Sequence, residues 1–117
     1  MLEKKQAAYK RGVVAEDQAA RFLSSHGWEI LETRYKTKAG EVDLIALKDS
    51  LVIFVEVKAR ANTVSALESV SAKSKARIKA AGQGWLLQQE DHARLSWRCD
   101  LIAIVPNEPP VHIEGAW

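Results

Sequence analysis

Within the first 35 residues the spacing of apolar positions changes from that of a helix to that of a strand. Apolar residues three or four positions apart predict a helix over residues 7–25, and they are Ala15, Ala19, Phe22 and Leu23. Gly27 follows this stretch, and glycine commonly ends helices. Residues 28–35 then alternate large apolar with polar side chains, as a half-buried strand does. The chain is therefore expected to open as a helix followed by a strand.

Two β-rich runs come next, at residues 42–47 and 51–58, and three residues suited to a tight turn separate them, namely Lys48, Asp49 and Ser50. This pattern predicts a β-hairpin. If Leu47 pairs with Val52, the numbers of paired residues sum to 99, and Asp43 then lies opposite Glu56. The hairpin would bring two carboxylates together.

Helical spacing returns in the second half of the chain. It predicts one helix over residues 65–89, with a stripe formed by Leu67, Val70, Ser74, Ile78, Ala81 and Trp85. A strand over residues 95–105, a proline-containing loop and a short strand over residues 111–114 follow. The order α-β-β-β-α-β-β predicts an α/β fold with a mixed central sheet, because the second helix can return the chain to pair in parallel with an earlier strand.

Composition narrows the class of protein. A chain of 117 residues suits one domain over residues 1–117, and 47% apolar with 27% charged residues is an ordinary globular balance. The apolar run at residues 51–55 is too short to cross a bilayer, and no apolar signal segment follows the charged start. Cys99 is the single cysteine, so neither an internal disulfide nor a cysteine-based zinc site is possible. We expect a cytoplasmic protein without a membrane partner.

Charge is concentrated rather than spread evenly. The net charge is only +2, but residues 58–79 contain six basic side chains and one acid, Glu68; the basic ones are Lys58, Arg60, Lys73, Lys75, Arg77 and Lys79. Two interpretations are open: this segment meets a phosphate backbone, or it is a solvated helix face. Arg98 and Asp100, two positions apart on a strand, are interpreted as a structural ion pair.

The chemistry is expected where the most apolar run meets charged residues. Residues 51–55 are continuously apolar, yet Glu56 and Lys58 follow at once and share one face of the strand. Opposed carboxylates at Asp43 and Glu56 repel each other unless a cation lies between them. The alternative is an ordinary ion pair of Glu56 with Lys58 while Asp43 begins a solvated edge.

The spacing of Asp43 and Glu56-Val57-Lys58 after a helix resembles the PD-(D/E)XK nuclease superfamily, which includes restriction endonucleases and Holliday junction resolvases. The whole chain is also similar to the YraN-like family of predicted endonucleases. The matching segments are Gly12 and Glu16 with Ala19, residues 40–45, residues 54–60, Lys73, residues 98–100 and residues 112–117. Val42 departs from the superfamily pattern, which has proline there.

The resemblance implies a restriction-endonuclease-like core with flanking helices and a metal site. Asp43, Glu56 and the main-chain carbonyl of Val57 would hold Mg²⁺ or Mn²⁺, and Lys58 would lie beside the reacting phosphate. Glu16 would bind the metal directly or through water; the alternative is a favourable acid in an early helical turn.

The resemblance also implies a DNA partner. The basic segment offers Arg60, Lys73, Lys75 and Arg77 as contacts to its phosphates. The expected function is a metal-dependent endonuclease that hydrolyses phosphodiester bonds, with branched or recombining DNA among its substrates. The alternative is a catalytically weak or inactive module that binds nucleic acid or a partner on the same fold. A homodimer would allow both strands to be cut, although no coiled-coil seam appears in the sequence.

Overall fold

A computed structural model describes residues 2–117, with side chains described from residue 10 onward. The elements in chain order are helix α1 (Leu2–Ser25), strands β1 (Glu29–Lys36), β2 (Glu41–Lys48) and β3 (Leu51–Ala59), helices α2 (Thr63–Glu68) and α3 (Ala72–Leu87), a single 3₁₀ turn (His92–Arg94), and strands β4 (Ser96–Ile104) and β5 (Val111–Ile113). No helix in this part of the chain combines the length and the apolar character that crossing a bilayer requires.

The five strands form one mixed sheet in the order β1-β2-β3-β4-β5. Neighbouring strands are antiparallel except for β3 and β4, which run parallel. Helices α2 and α3 carry the chain from the end of β3 back to the edge of the sheet where β3 begins, and β4 starts there. The predicted α/β class and the mixed sheet are therefore confirmed.

The β2–β3 hairpin has the predicted register. Leu47 pairs with Val52, and Lys48 pairs with Leu51. The turn therefore consists of Asp49, with a φ of 55°, and Ser50, and the prediction that Lys48 belongs to it is wrong. Paired positions continue as far as Leu44 opposite Val55, and the ladder ends there. The two strands thus separate just before the predicted acidic positions.

Helices cover both faces of the sheet. Ala15, Ala19 and Leu23 of α1 pack against one face, together with residues such as Ile53 and Val55. On the opposite face, α2 and α3 bury the other side chains of β3, as the contact of Phe54 with the Gly82 position illustrates. Strand β3 is buried on both faces, which explains its unbroken apolar run.

The prediction of one helix over residues 65–89 is wrong, since two helices occupy this stretch. Helix α2 ends with Ser69 as its C-cap, and α3 begins after Ser71. The Ser71 side chain accepts a hydrogen bond from the Ser74 N–H at 3.1 Å, which satisfies one of the unpaired amides of the new helix. A periodic apolar pattern continued across this boundary because Val70 is buried between the two helices.

Two glycines allow α3 to lie close to the sheet. A Cβ atom at Gly82 would lie about 2.5 Å from the Phe54 ring, and one at Gly40 would overlap the main-chain carbonyl of Arg77. The second contact fixes the second turn of α3 over the start of β2. It thereby positions Arg77 near the end of the sheet where the hairpin strands separate.

Candidate metal centre and its clefts

Asp43 occupies the gap that opens between β2 and β3. Its Oδ2 accepts a hydrogen bond from the Val57 main-chain N–H at 2.8 Å. A side chain of β2 thus takes the place of the β2 main-chain carbonyl that would accept this bond in a continued ladder. The N–H and C=O of one strand residue point to the same side, which directs the Val57 carbonyl toward this gap as well. Val57 also lines the adjoining cleft.

Asp43 and Glu56 are adjacent, as the register predicts. Burial of the Glu56 carboxyl raises its pKa, as do the hydrogen bond and the charge repulsion from Asp43, and the result is a pKa of about 8 despite the opposing effect of Lys58. In the metal-free protein Glu56 therefore holds its proton to a higher pH than an exposed glutamate does. Two partly buried carboxyl groups in this state have a marked preference for a positive charge between them.

Lys58 completes the cluster on the same face of β3. Its Nζ lies 3.6 Å from Glu56 Oε1, and about a quarter of the lysine side chain is exposed. The ion pair considered from the sequence therefore exists, but Asp43 does not begin a solvated edge. The acid pair and the Glu56–Lys58 pair occur together.

Glu16 reaches the same region from α1. Its Oε2 lies 2.7 Å from Arg34 Nε, and both side chains are partly buried. Arg34 sits on β1 with a φ of 51°, in the left-handed region. Glu16 therefore lies in the wall of the site, but its carboxylate is bound to an arginine.

Two clefts meet at the cluster, and both are lined by Glu41, Glu56 and Lys58. The α1-side cleft has a volume of about 550 Å³, and its other lining residues include Arg11, Glu16, Asp43 and Arg60. The α3-side cleft, of about 400 Å³, is also lined by Lys36 and Arg77. Cations thus stand on both sides of an acidic centre.

The residues predicted to contact phosphate divide into two groups. Arg60 lines the α1-side cleft and Arg77 the α3-side cleft, whereas Lys73 and Lys75 lie on α3 outside the linings of both.

Two further cations, Arg11 and Lys36, line these clefts without having been predicted to do so. A signal for Arg11 exists, because it lies one helical turn before the buried Ala15. Lys36 carries no such signal, since its place depends on how β1 pairs.

The donor set suits a hard divalent cation. Among the residues with described side chains, no group of three or more His, Cys, Asp and Glu is arranged to hold one ion. An ion at this position would therefore rely on Asp43, Glu56, the Val57 carbonyl and water. All of these donors are oxygen atoms, which Mg²⁺ and Mn²⁺ prefer, and Mg²⁺ commonly retains several waters.

A second charged cluster lies away from these clefts. Asp100 is fully buried and accepts hydrogen bonds from Arg98 Nε at 2.7 Å, Arg98 Nη2 at 2.8 Å, His112 Nε2 at 2.7 Å and the Gly115 N–H at 2.9 Å. The predicted Arg98–Asp100 ion pair is confirmed. Its partners attach β5 and the residues after it to β4.

These features define an α/β protein with an acidic pair and a lysine at the open end of a mixed sheet. Residues 15–104 match the family described as Uncharacterised protein family UPF0102. The chain is 46% identical over 113 residues to a UPF0102 protein of Mesorhizobium japonicum, covering 97% of this chain and 90% of the relative. It is 50% identical over 111 residues to a UPF0102 protein of Bartonella tribocorum, covering 95% and 85%. The chain belongs to the UPF0102 family.

Proposed function

We propose that this protein is a metal-dependent endonuclease that hydrolyses phosphodiester bonds, with DNA as its substrate. The observation that supports this most strongly is the contact of Asp43 with Glu56 beside Lys58, where two cation-lined clefts meet. A purely structural role explains this poorly, because partly buried carboxyl groups that repel each other lower the stability of the fold. A functional role explains the presence of these two carboxyl groups better.

In this proposal Asp43, Glu56 and the Val57 carbonyl hold Mg²⁺ or Mn²⁺. When bound, the metal supplies Lewis acidity toward a phosphoryl oxygen and toward the attacking water. Asp43 also holds the Val57 amide, which keeps the carbonyl of that residue directed at the same gap. Strand β3 therefore carries ligand and lysine on one rigid element, and this limits the reorganisation that the site needs.

Lys58 has the role of charge stabilisation. Its ammonium group lies on the same face as Glu56 and is partly exposed in both clefts, where it can contact a phosphate oxygen. There it offsets the negative charge that develops as water attacks, or it orients that water. Glu16 acts through its ion pair with Arg34, which shapes the cleft wall, and reaches the metal at most through water.

The test uses purified protein with Mg²⁺ or Mn²⁺ and labelled duplex, single-stranded and four-way junction DNA. We expect cleavage that leaves 5′-phosphate and 3′-hydroxyl ends, and we expect Asp43→Asn to abolish it. Asp49→Asn is the matched control, because this aspartate is exposed in the hairpin turn at the opposite end of β2. If the wild type cleaves none of these DNAs with either metal, or if Asp43→Asn retains full activity, the proposal is wrong.

A binding module without turnover is the second candidate. The ion pair of Glu16 with Arg34 favours it, because that pair leaves fewer carboxylates for a metal than a three-acid site would have. Salt-dependent DNA binding that Asp43→Asn leaves unchanged, together with an absence of cleavage, would select this alternative.

A further inference from the structure

Another cleft borders the α1-side cleft at Ala59 and Arg60. It has a volume of about 800 Å³ and lies where the chain leaves β3 and β4. We call it the proline cleft, because its apolar lining includes Pro106, Pro109 and Pro110 beside Ala61 and Ile104. The cleft is largely open to solvent, and its volume is large enough for a nucleobase to lie against its wall.

The proline cleft and the α1-side cleft are neighbours on the same side of the sheet end. Ala59 and Arg60 line both of them, and Arg60 follows Lys58 by two positions on the same chain segment. One guanidinium nitrogen of Arg60 donates to the Ala59 carbonyl at 2.8 Å. A guanidinium carries five N–H donors, so others can bind a phosphate while this bond orients the side chain. A phosphate bound by Arg60 would therefore lie between the acidic centre and the proline cleft.

We infer that the proline cleft binds an unpaired segment of nucleic acid next to the phosphate that is cleaved, so that DNA with a single-stranded tail binds better than a blunt duplex. This deepens the proposed function and rests on it for the position of the cleaved phosphate. The faces of paired bases are hidden by stacking, whereas unpaired bases can lie against apolar side chains. Gln18 and Asn107 add amides and Glu108 adds a carboxylate. All three can hydrogen-bond base edges, and the carboxylate accepts from base amino groups.

Binding is measured with the Asp43→Asn protein, which prevents turnover, by fluorescence anisotropy at fixed salt. The probes are a blunt DNA duplex and the same duplex with a single-stranded tail at its 5′ or 3′ end. We expect one tail polarity to bind about fivefold or more tightly than the blunt duplex, the scale of one stacked base. Equal binding of all three probes, or binding of none, would overturn the inference, and the second result would favour a protein partner for the cleft.

Substitutions at Ala61 test the location. Ala61 is exposed beside Arg60 in the lining of the proline cleft. Ala61→Glu places a negative charge there and should reduce the preference for tailed DNA. Ala61→Trp offers an aromatic ring for stacking and should increase it. Leu87→Glu adds the same charge at a position that is 68% exposed, outside the proline cleft, and is expected to change nothing. Similar effects of Ala61→Glu and Leu87→Glu would contradict the assignment. Circular dichroism of each variant verifies folding.

The two hypotheses fail in different ways. If the wild type cleaves blunt and tailed DNA equally and Ala61→Glu has no effect, the endonuclease proposal stands and the base-binding cleft does not. If no DNA is cleaved but the tail preference persists and responds to Ala61→Glu, the cleft assignment stands and the endonuclease proposal fails.

Discussion

Asp43 accepts a hydrogen bond from the main-chain amide of Val57 at 2.8 Å, and this bond joins two strands whose ladder has already ended. The side chain spans the gap in which Glu56 and Lys58 meet. The separation of the strands therefore creates the space for a cation, and the same carboxylate that would bind it keeps the two strands from parting further.

The pKa of Glu56 predicts a pH-dependent stability in metal-free protein. Because burial and Asp43 raise this pKa from 4.5 to about 8, the contribution of Glu56 to stability is complete below pH 4.5 and is lost as the pH rises through 8. We expect Glu56→Gln to raise the free energy of unfolding by about 2–4 kcal/mol at pH 8.5 and to have little effect at pH 5. Urea unfolding in EDTA measures both values.

Glu90→Gln is the control for this experiment, because Glu90 is exposed and outside the clefts described above. Added Mg²⁺ should stabilise the wild type and not Glu56→Gln. A destabilised Glu56→Gln protein at pH 8.5 would mean that the carboxyl group is favourable to the fold.

Replacing each of the two glycines of α3 by alanine should change the stability of the protein in opposite directions. A methyl group at Gly82 would overlap the Phe54 ring, so Gly82→Ala is expected to lower stability by about 1–3 kcal/mol. Gly84 is exposed with open space around it, and Gly84→Ala should raise stability by about 0.5–1 kcal/mol through helix propensity. Thermal unfolding of both variants measures the pair, and the same sign for both would refute the packing described for α3.

The buried carboxylate of Asp100 should be the most sensitive charged position in the fold. Burial alone would raise its pKa, but hydrogen bonds from His112, Arg98 and Gly115 outweigh that effect and lower the pKa below 3.8. We expect Asp100→Asn to cost about 3–5 kcal/mol at pH 7, because it removes the buried carboxylate that binds Arg98, His112 and the Gly115 N–H. Arg98 keeps only its longer ion pair with Glu114, at 3.7 Å.

This loss should shrink as the pH falls below 3.8, since a lowered pKa means that the stabilisation is present above the unfolded value and disappears on protonation. Chemical unfolding at several pH values gives the dependence. Asp91→Asn is the control, because this exposed aspartate makes no side-chain cap to the turn that follows it. A cost for Asp100→Asn no larger than that of the control would contradict the prediction.

Basic residues on α3 should differ in their contribution to DNA binding. Arg77 lines the α3-side cleft next to Lys58, whereas Lys73 lies outside it. Arg77→Ala is expected to weaken binding and to reduce the slope of log affinity against log salt by about one, while Lys73→Ala changes both much less. Equal effects of the two substitutions would mean that DNA contacts the solvent face of α3 instead.

Features that depend on residues close together in the sequence could be predicted from the local pattern. The hairpin register followed from a short turn and from alternation, so the opposition of Asp43 and Glu56 could be predicted from the sequence alone. The break between α2 and α3 could not, because a serine cap competes with a continuous apolar stripe.

The surroundings of the site depend on contacts between distant segments. The Glu16–Arg34 pair requires α1 to lie over β1 and requires Arg34 in a left-handed conformation, and no periodicity reports either condition. The same holds for the clefts, whose walls combine residues of β1, α1 and α3. Sequence therefore predicted the acidic pair, its lysine and two of the cations that line the clefts, Arg60 and Arg77. It did not predict Arg11 or Lys36.

Gly40 has a consequence beyond packing. Its bare Cα lets the main chain at Arg77 approach the strand that carries Asp43, and any larger residue would displace the first turns of α3. Such a displacement would widen the α3-side cleft while the acids themselves stayed on their hairpin. The width of that cleft thus depends on the absence of a side chain at Gly40, three positions before Asp43.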